Sequence, residues 1–420
     1  MGVGIIKKAI ELVNLIKRQE NIVIISHGDA DGVAGSAIAS ILLKEIGIEH
    51  EIKFVKYLNG EIIDRYKDDF ILFIDVGNGN IEEIIEKKVD CVIVDHHFCN
   101  KYFKNSLNPF YYGIDGSNIS ASGLMHLIAR NVKGDADIAL IGAIGDLQDL
   151  KSGLNQSILK ESNIKMIKDI KTYGRNMPLY KMLSYSPLIP PFFKNVRMVI
   201  KFLRRNGINE KKSWKDLDKK EKRLVFSEIV KTLIKRGYDY EYISNLYGEV
   251  YELNGIDIRE IASIINSLAK YEKYEMALDT CITKNFKIAD KFLNIHRKNI
   301  KNGIKLAKEN LNDGNLIKYF HGGNLIRDTI LGTITGMLLD GEKISKPIIG
   351  FVESDNEIKV SARAPKNLNI NLSLAIKNAA NKLGGYGGGH KAAAGAIIPR
   401  GYEEEFIQFF EHELINQLNL

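Results

Sequence analysis

The chain has 420 residues, of which 45% are hydrophobic and 26% are charged, and this composition excludes disordered and fibrous proteins. At about 150 residues per domain, the length predicts two or three domains. Three cysteines without a CxxC spacing cannot form a disulfide framework or a structural zinc site, so we expect a cytoplasmic protein. No apolar run is long enough for a membrane span, which predicts no membrane association.

The formal net charge of +7 is concentrated in one segment of the chain. Residues 194–237 contain 15 Lys and Arg against 5 Asp and Glu, which gives this basic segment a local charge of +10. Such a block suits a polyanion such as nucleic acid, and a solvated helical surface is the alternative that the block alone leaves open. Trp214 lies among its lysines, where a helix-packing role is favoured over stacking on a nucleobase.

Short apolar runs rich in β-branched residues divide the first 155 residues. Three of these runs are continuously apolar, as expected of strands buried on both faces of a parallel sheet, namely 21–26, 70–74 and 91–94. The alternating segment 50–57 predicts a further strand. Helical patterns separate the strands, at 32–46, 81–88 and 122–131. This alternation of strands and helices predicts a doubly wound α/β domain.

The middle of the chain and its C-terminal part have different patterns. Residues 156–312 are rich in Lys, Glu, Ile and Leu, and we expect them to be mostly helical, most clearly at 258–271 and 284–311. The last part contains two β-type runs, a helix and then a glycine cluster, at 347–352, 357–362, 372–383 and 384–396. The predicted domains are therefore an α/β domain at 1–155, a helical insertion and linker at 156–312, and a smaller α/β domain at 313–420.

Acids and histidines follow the predicted strands directly. The first strand ends in HGDADG at 27–32, the second in Asp75, and the third in Asp95, His96 and His97. A fourth acid, Asp146, follows the apolar segment 138–144, which fits either a helix or a strand. Because the carboxyl ends of parallel strands meet at one edge of a sheet, we expect these side chains to share one crevice.

Carboxylates crowded into one crevice repel each other unless cations neutralise them. Mixed Asp and His ligands favour Mn²⁺, Zn²⁺ or Fe²⁺ over Ca²⁺, and enough of them are present for two ions. Two ions about 3.5–4 Å apart are the usual clamp for in-line attack on phosphorus. The strand ends together therefore predict a two-metal site for phosphate chemistry, although Asp146 taken alone fits a helix cap or a turn.

Four motifs at these strand ends resemble those of the DHH phosphoesterase superfamily, namely HGDADG at 27–32, Asp75, VDHH at 94–97 and GD at 145–146. The segment GGGHKAAAG at 387–395 is similar to the signature of the DHH-associated domain found at the C-terminus of that superfamily. The match is best to RecJ-like single-strand-specific exonucleases of the archaeal type. It covers both ends of the chain in the expected order, whereas the middle resembles only their general helical insertion.

The resemblance implies a site with two divalent metal ions, Mn²⁺ or alternatively Mg²⁺, and a bridging water as the nucleophile. Asp75 would bridge the two ions, and the full set of implied ligands is His27, Asp29, Asp31, Asp75, His96 and Asp146. His27 and Asp29 would hold one ion, while the other ligands would hold the second. His97 would face the phosphate or the leaving oxygen, and Asp95 would orient the neighbouring histidines.

The C-terminal glycine cluster is the candidate phosphate-binding element. Consecutive glycines permit positive φ and a close backbone approach, which makes amide donors available to a phosphate. The resemblance implies substrate contacts from Ser361, Arg363, Gly387, Gly388, Gly389 and His390. A glycine-rich turn beside a solvated Arg363 is the alternative. Just after the fourth motif, Asn155-Gln156 stands where many relatives carry an Asn-Arg pair.

The implied function is a metal-dependent exonuclease that hydrolyses single-stranded DNA or RNA to 5′-mononucleotides. A phosphodiesterase of short oligoribonucleotides or cyclic dinucleotides is the first alternative, since it would use the same metal site. A replisome-associated scaffold with little catalysis is the second, and docking of an active enzyme on a replisome complex such as GINS stays open. The sequence leaves the polarity of digestion, the DNA or RNA preference, the native metal and the oligomeric state open.

Overall fold

A computed structural model describes residues 2–99, 101–186, 189, 195–286, 290–341, 344–354, 356–365 and 368–418. The chain forms two compact units, Met1–Ala289 and Asp290–Leu420, each with its own sheets and core. Among the helices within the described ranges, none is both long and apolar enough to cross a membrane. The division of the chain at 155 and 312 stays a prediction.

The first unit contains a five-stranded parallel sheet. Its strands are β1 (Asn21–His27), β2 (Glu49–Val55), β3 (Ile71–Ile74), β4 (Cys91–Val94) and β5 (Ser106–Leu107). They lie in the order β2-β1-β3-β4-β5, so the direction of winding reverses between β1 and β3. In open α/β sheets, ligands bind at the carboxyl ends of the strands at such a switch point.

Helices cover both faces of this sheet. They are α1 (Gly2–Ile16), α2 (Ala30–Glu45), α3 (Gly60–Tyr66), α4 (Ile81–Glu86), α5 (Ala121–Ala129), α6 (Ala136–Gly145) and α7 (Gly153–Glu161). On one face, Ile63 of α3 and Ile84 of α4 share a buried cluster with Phe73 of β3. On the other face, Gly35 of α2 lies against Ile74. The predicted α/β domain is confirmed, and the segment 138–144 is helical.

The rest of the first unit is mostly helical, as predicted, but it also contains a small antiparallel sheet. The helices are α8 (Leu179–Tyr185), α9 (Val196–Arg205), α10 (Lys219–Lys235), α11 (Tyr240–Ser244), α12 (Ile258–Lys270) and α13 (Tyr274–Thr283). The sheet consists of β6 (Lys165–Ile170), β7 (Tyr247–Leu253) and β8 (Ile256–Asp257), and the sequence did not predict it. Helices α12 and α13 pack against α2, and α12 also packs against α6.

A buried ion cluster joins the three strands of the small sheet. Arg175 is 1% exposed, and its guanidinium lies 3.2 Å from Asp169 of β6, 2.8 Å from Glu252 of β7 and 3.7 Å from Asp257 of β8. Trp214 is buried beside it and donates its Nε1–H to Asp169 at 2.8 Å. Trp214 is therefore a packing residue, which is the role that its sequence context favoured.

The second unit is built on a mixed six-stranded sheet in the order β13-β14-β12-β11-β10-β9. Its strands are β9 (Asn312–Asp313), β10 (Lys318–His321), β11 (Ile348–Ser354), β12 (Glu357–Arg363), β13 (Tyr386–His390) and β14 (Ala393–Pro399). One face packs on α14 (Asp290–Glu309) and α15 (Asp328–Gly341), and the other on α16 (Leu372–Lys382) and α17 (Glu403–Leu418). The smaller C-terminal α/β domain is confirmed.

Replacement of Arg175 by Met should destabilise the protein by about 3 kcal/mol, because it removes the buried guanidinium that the three carboxylates share, and among the described cations Asp169 keeps only Lys222 at 4.0 Å. The measurement is a denaturant unfolding curve of each variant. Arg204→Met is the matched control, since Arg204 is 68% exposed in its ion pair with Glu210 and should give a curve close to wild type. Equal curves for the two variants would show that the cluster contributes nothing to stability.

Candidate metal centre

Strand β1 brings two candidate ligands to the carboxyl edge of the parallel sheet. The strand ends at His27, and Asp29 then caps α2 by accepting hydrogen bonds from the N–H groups of Asp31 and Gly32 at 3.1 Å. A Cβ atom at position 32 would lie 2.2 Å from the carbonyl oxygen of His27, so the motif requires glycine there. The second carboxylate oxygen of Asp29 lies 2.9 Å from Nδ1 of His27.

Asp75 directly follows β3 and has φ +59°, in the left-handed region. Residues other than glycine rarely adopt this conformation, which costs roughly 1–2 kcal/mol and is frequent at functional sites. Its Oδ2 atom lies 3.2 Å from Nδ1 of His27, and its Oδ1 atom lies 3.5 Å from Nε2 of His96. One carboxylate therefore contacts histidines from the strands on both sides of β3.

His96 follows β4, and its imidazole ring is oriented by the backbone. Its Nδ1 atom donates to the carbonyl of Gly116 at 2.9 Å, which leaves Nε2 available as a metal ligand. This Nε2 atom lies 3.0 Å from Asp146, 3.5 Å from Asp75 and 4.0 Å from Asp31, measured to carboxylate oxygens. The structure thus brings the fourth predicted acid, Asp146, to the ends of the strands.

Asp31 is fully buried in the first turn of α2 and is held by the start of α5. Its carboxylate accepts hydrogen bonds from the N–H groups of Ala121 at 2.7 Å and Ser122 at 3.0 Å, and from the Ser122 hydroxyl at 2.5 Å. A helix N-terminus favours a negative charge in this position. The carboxylate is therefore fixed within reach of the other candidate ligands.

His97 is the exposed member of the predicted triplet, and its side chain is 59% accessible. Its Nδ1 atom lies 2.7 Å from Asp95, which is buried and also accepts the N–H groups of His97 and Asn78 at 3.0 Å each. Asp95 therefore orients His97. The expectation that it orients both histidines differs from the geometry, because Gly116 orients His96.

The six predicted ligands form two groups, in each of which the ligand atoms lie within 4.8 Å of one another. The groups are His27, Asp29 and Asp75, and Asp31, Asp75, His96 and Asp146. A third group of Asp75, His96 and His97 meets the same distance limit, so His97 is also close enough to contact an ion. Asp75 belongs to every group.

Two buried atoms test whether this arrangement fits metal ions. Oδ1 of Asp75 and Nε2 of His96 are buried 3.5 Å apart, and within the described residues neither makes a hydrogen bond of good geometry, although Nε2 lies 3.0 Å from Asp146. A buried carboxylate oxygen and a buried imidazole nitrogen in such strained pairing are costly, and a cation between them would satisfy both. The residues therefore fit the divalent ions that the sequence implies.

Without a metal ion, the crowded carboxylates hold protons on the histidines. Burial lowers the pKa of His27, but hydrogen bonds to two aspartates outweigh burial and raise this pKa to about 11. Burial likewise lowers the pKa of His96, and its aspartate neighbours raise it to about 12. Burial and two neighbouring carboxylates raise the pKa of Asp31. Metal ions must displace protons from this site.

Several supporting residues were not identified from the sequence. Gln148 donates to the Gly116 carbonyl at 3.0 Å, and buried Asn155 donates to Gln148 at 2.9 Å, so both help to orient His96. Their only sequence signal was their position just after the fourth motif. The side-chain oxygen of Asn266 in α12 accepts the N–H of Ala30 at 2.8 Å across 236 residues of chain, and nothing in the sequence marks it.

Helix α6 ends beside the metal centre in a Schellman motif. Asp146 is its C-cap, the N–H of Leu147 donates to Ile144 at 3.1 Å, and the N–H of Gln148 donates to Ala143 at 2.9 Å. Glycine usually occupies the left-handed position of this motif. Here the position is taken by Leu147, which has φ +59° and is 93% exposed.

In the second unit, the structure places Ser361 and Arg363 on one face of β12. A Cβ atom at Gly332 of α15 would lie 3.4 Å from the Ser361 hydroxyl and 3.2 Å from Nη2 of Arg363, so both side chains face this helix. Nε of Arg363 donates to the Gly332 carbonyl at 3.4 Å, which is a long hydrogen bond. Arg363 is therefore packed over α15.

The three predicted glycines at 387–389 lie in β13, at the end of the strand order, and not in a turn. Of the three predicted glycines, Gly389 alone has a positive φ, at +140°. Gly388 and Ser361 pair with the same residue of β14, and so do His390 and Arg363. Four of the six predicted substrate-contact residues therefore lie in two rows that run across the strands of this sheet, Gly388 with Ser361 and His390 with Arg363.

Three family models match the chain. They are the DHH family N-terminal domain at residues 21–145, the DHH-CID domain at 172–247 and the DHHA1 domain at 313–416. An uncharacterized protein of Methanocaldococcus jannaschii is 30% identical over 426 residues, which cover 94% of this chain and 93% of that protein. A second uncharacterized protein of the same organism is 27% identical over 65% of this chain and 96% of its own length.

Two solved structures share the fold over nearly the whole chain. The exonuclease RecJ bound to manganese has a TM-score of 0.59 at 17% identity, with 97% of this chain and 94% of that chain covered. CDC45 from Entamoeba histolytica has a TM-score of 0.67 at 15% identity, with 97% and 98% covered. With the family models, these comparisons show that the chain belongs to the DHH phosphoesterase superfamily and has the RecJ-like fold.

Binding of Mn²⁺ should release protons, because the pKa values of His27 and His96 are raised to about 11 and about 12 in the metal-free protein. Only the neutral imidazole binds a metal ion, so the affinity should fall as the pH falls below these values. Calorimetric titration at pH 7.5 in buffers of different ionisation enthalpy should show at least about two protons released when both groups fill, since the raised pKa of Asp31 adds to the release. Binding without proton release would contradict histidine ligation.

Proposed function

We propose that this protein is a metal-dependent exonuclease that hydrolyses single-stranded DNA or RNA to 5′-mononucleotides. The observation that carries the proposal is the position of Asp75, whose carboxylate belongs to both candidate ligand groups at the switch point of the sheet. Two groups that share a carboxylate suit a pair of ions acting on one phosphodiester. The fold shared with manganese-bound exonuclease RecJ supports a polymeric substrate.

The proposed ligands divide as the resemblance implies, with His27 and Asp29 on one ion, Asp31, His96 and Asp146 on the other, and Asp75 on both. Histidine in both groups favours Mn²⁺ over Mg²⁺, which prefers oxygen ligands and retains its waters. When bound, the two ions would lower the pKa of a water and neutralise charge on the phosphoryl oxygens.

His97 is the proposed proton donor to the leaving oxygen. Its hydrogen bond to Asp95 raises the pKa of His97 and outweighs the opposing effect of burial, so the imidazolium form is favoured. The Nδ1–H of His97 donates to Asp95, so the Nε2–H of the exposed His97 ring is left for the substrate. A donor held in this way can protonate an alkoxide as the P–O bond breaks.

The second unit is proposed to bind phosphates along the strand. Arg363 supplies a fixed guanidinium, Ser361 a hydroxyl, and β13 backbone N–H groups at the edge of the sheet. Gly388 and His390 lie in the same cross-strand rows as these two side chains. Such a face suits contacts to the sugar–phosphate backbone, which position a strand without reading its sequence.

In the basic segment 194–237, α9 groups four cations around one open surface. An open cavity of about 610 Å³ on this helix is lined by Ile200 and the basic residues Arg197, Lys201, Arg204 and Arg205. Arg204 of this helix already pairs with Glu210 at 2.6 Å, as Lys212 does with Glu221 at 2.9 Å and Lys215 with Glu252 at 2.7 Å. The cations of this surface that we consider for a long strand are Arg197, Lys201 and Arg205. We therefore assign contacts with a long strand to α9. Docking of the protein on a replisome complex such as GINS stays a prediction.

The test of the function uses end-labelled single-stranded DNA and RNA 20-mers, a dinucleotide and a cyclic dinucleotide, each incubated with Mn²⁺ or Mg²⁺. Resolution of the products by length should show mononucleotides released from the 20-mers, and the position of the label gives the polarity. Much faster hydrolysis of the dinucleotides would favour the short-substrate alternative. Binding of the strands without hydrolysis would favour the scaffold alternative.

In this assay, Asp75→Asn should lose at least about a thousandfold in turnover together with bound metal, because both ligand groups lose their shared charge. Asparagine tolerates the left-handed backbone at this position, so the fold should persist. His97→Ala should keep its metal content while turnover falls about a hundredfold or more.

The control for these two variants is His412→Ala, which removes an exposed histidine of α17 and should leave both metal content and turnover unchanged. Metal content is measured by elemental analysis and the fold by thermal unfolding. If His97→Ala loses metal as Asp75→Asn does, His97 is a ligand and its role as proton donor is wrong.

Charge reversal on α9 should weaken long strands selectively. In the triple variant Arg197→Glu, Lys201→Glu and Arg205→Glu, the slope of log affinity against log salt should become shallower by about 2 for a single-stranded 20-mer. Affinity for a dinucleotide should stay near wild type, since it reaches few cations. The control carries Lys17→Glu, Arg18→Glu and Lys67→Glu at exposed positions elsewhere in the unit. Equal salt slopes for the two triple variants would show that α9 is a solvated surface that does not contact the strand.

A further inference from the structure

An open cavity of about 410 Å³ adjoins the candidate metal centre within the first unit. Part of its wall comes from the centre itself, through His96, His97 and Asp146, and another part from the apolar side chains of Phe98, Phe110 and Leu147. A molecule in this cavity would therefore contact both the proposed catalytic groups and an apolar surface. The proposed chemistry accounts for the first part of the wall and leaves the second unexplained.

Leu147 is the most unusual residue of this wall. The Schellman motif at the end of α6 needs only the backbone of residue 147, and glycine would serve it with less strain. The left-handed backbone is unfavourable for leucine. At 93% exposure the side chain recovers almost none of this free energy through burial in the protein. The same residue also lines a neighbouring cavity of about 270 Å³ with Arg259 and Asn266. Its side chain therefore stands between two cavities beside Asp146.

Phe98 is the second apolar side chain of the cavity wall that is mostly exposed. It directly follows His97 and is 74% exposed. Its ring centroid lies 5.4 Å from that of Phe110 at an interplanar angle of 82°, an edge-to-face arrangement. This contact fixes the ring while most of its surface stays accessible, as a stacking platform requires.

We propose that this cavity binds the nucleobase next to the scissile phosphate, with Phe98 as its stacking platform and Leu147 as its opposing apolar contact. The inference rests on the proposed function and adds what holds the base during the reaction. Every nucleobase has a π-face, so the cavity would accept any sequence. A base held in this cavity would place the phosphate of that nucleotide beside His97 and the metal centre, which is how a held base raises the rate.

The test compares 20-mers that carry a normal or an abasic nucleoside at the end that is digested. In the wild type, removal of the base should lower kcat/KM at least tenfold. In Leu147→Gly and Phe98→Ala, the ratio of kcat/KM for the normal strand to kcat/KM for the abasic strand should move towards one. Tyr102→Ala is the matched control, because Tyr102 is 67% exposed and its ring lies 5.1 Å from that of Tyr111, outside the cavity wall. It should keep the wild-type ratio.

Leu147→Gly also separates a ligand contact from a structural role. The substitution relieves the positive φ, so its thermal midpoint should equal or exceed that of the wild type while the base-dependent rate is lost. A wild-type ratio between normal and abasic strands in both cavity variants would overturn the inference. The inference would also be overturned if Leu147→Gly had a lower thermal midpoint than the wild type and partial unfolding accounted for its loss of rate.

A binding measurement keeps the inference testable if the wild type hydrolyses none of the strands, which would refute the proposed function by itself. Strands carry 2-aminopurine at either end in turn, and stacking on the protein quenches its fluorescence. Quenching should occur with the wild type and Tyr102→Ala and disappear with Phe98→Ala and Leu147→Gly. Equal quenching by all four proteins would exclude the cavity as a base site.

Discussion

The shared charge of Asp75 is the constraint on which the rest of the site depends. Strand β3 lies between β1 and β4, so a carboxylate at its end faces His27 on one side and His96 on the other. The backbone accepts a left-handed conformation to place it there. A backbone carbonyl orients His96 and the start of α5 holds Asp31, while His27 is held by the carboxylates of Asp29 and Asp75. The buried Oδ1 atom of Asp75 makes no hydrogen bond of good geometry among the described residues, so a cation there would satisfy it.

The sequence predicted the part of this arrangement that follows from local patterns. Strands covered on both faces must be apolar throughout, so β1, β3 and β4 could be predicted from the sequence. Parallel strands also bring their carboxyl ends to one edge of the sheet. The convergence of His27, Asp75 and His96 follows from these two facts. Asp146 was harder to place, because it ends a buried helix whose position depends on its packing against α2.

The parts that escaped prediction depend on contacts between distant segments or on residues with weak preferences. Strands β6 and β7 are partly exposed and separated by nearly eighty residues of mostly helical chain, so neither has the apolar pattern of a buried strand. In β13, glycines form a strand because β14 pairs with them, despite their low strand propensity. Asn266 acts through a contact that no local pattern could reveal.

The dependence of α2 on distant helices has a consequence for biosynthesis. The helix begins at the HGDADG motif and is buried on nearly every side, partly by α12 and α13, and Asn266 holds its first N–H group. Translation proceeds at about 5–20 residues per second, so the 236 residues between Ala30 and Asn266 take roughly 10–50 seconds to make. During that interval α2, whose first turn carries the candidate ligand Asp31, lacks the cover that α12 and α13 later give it.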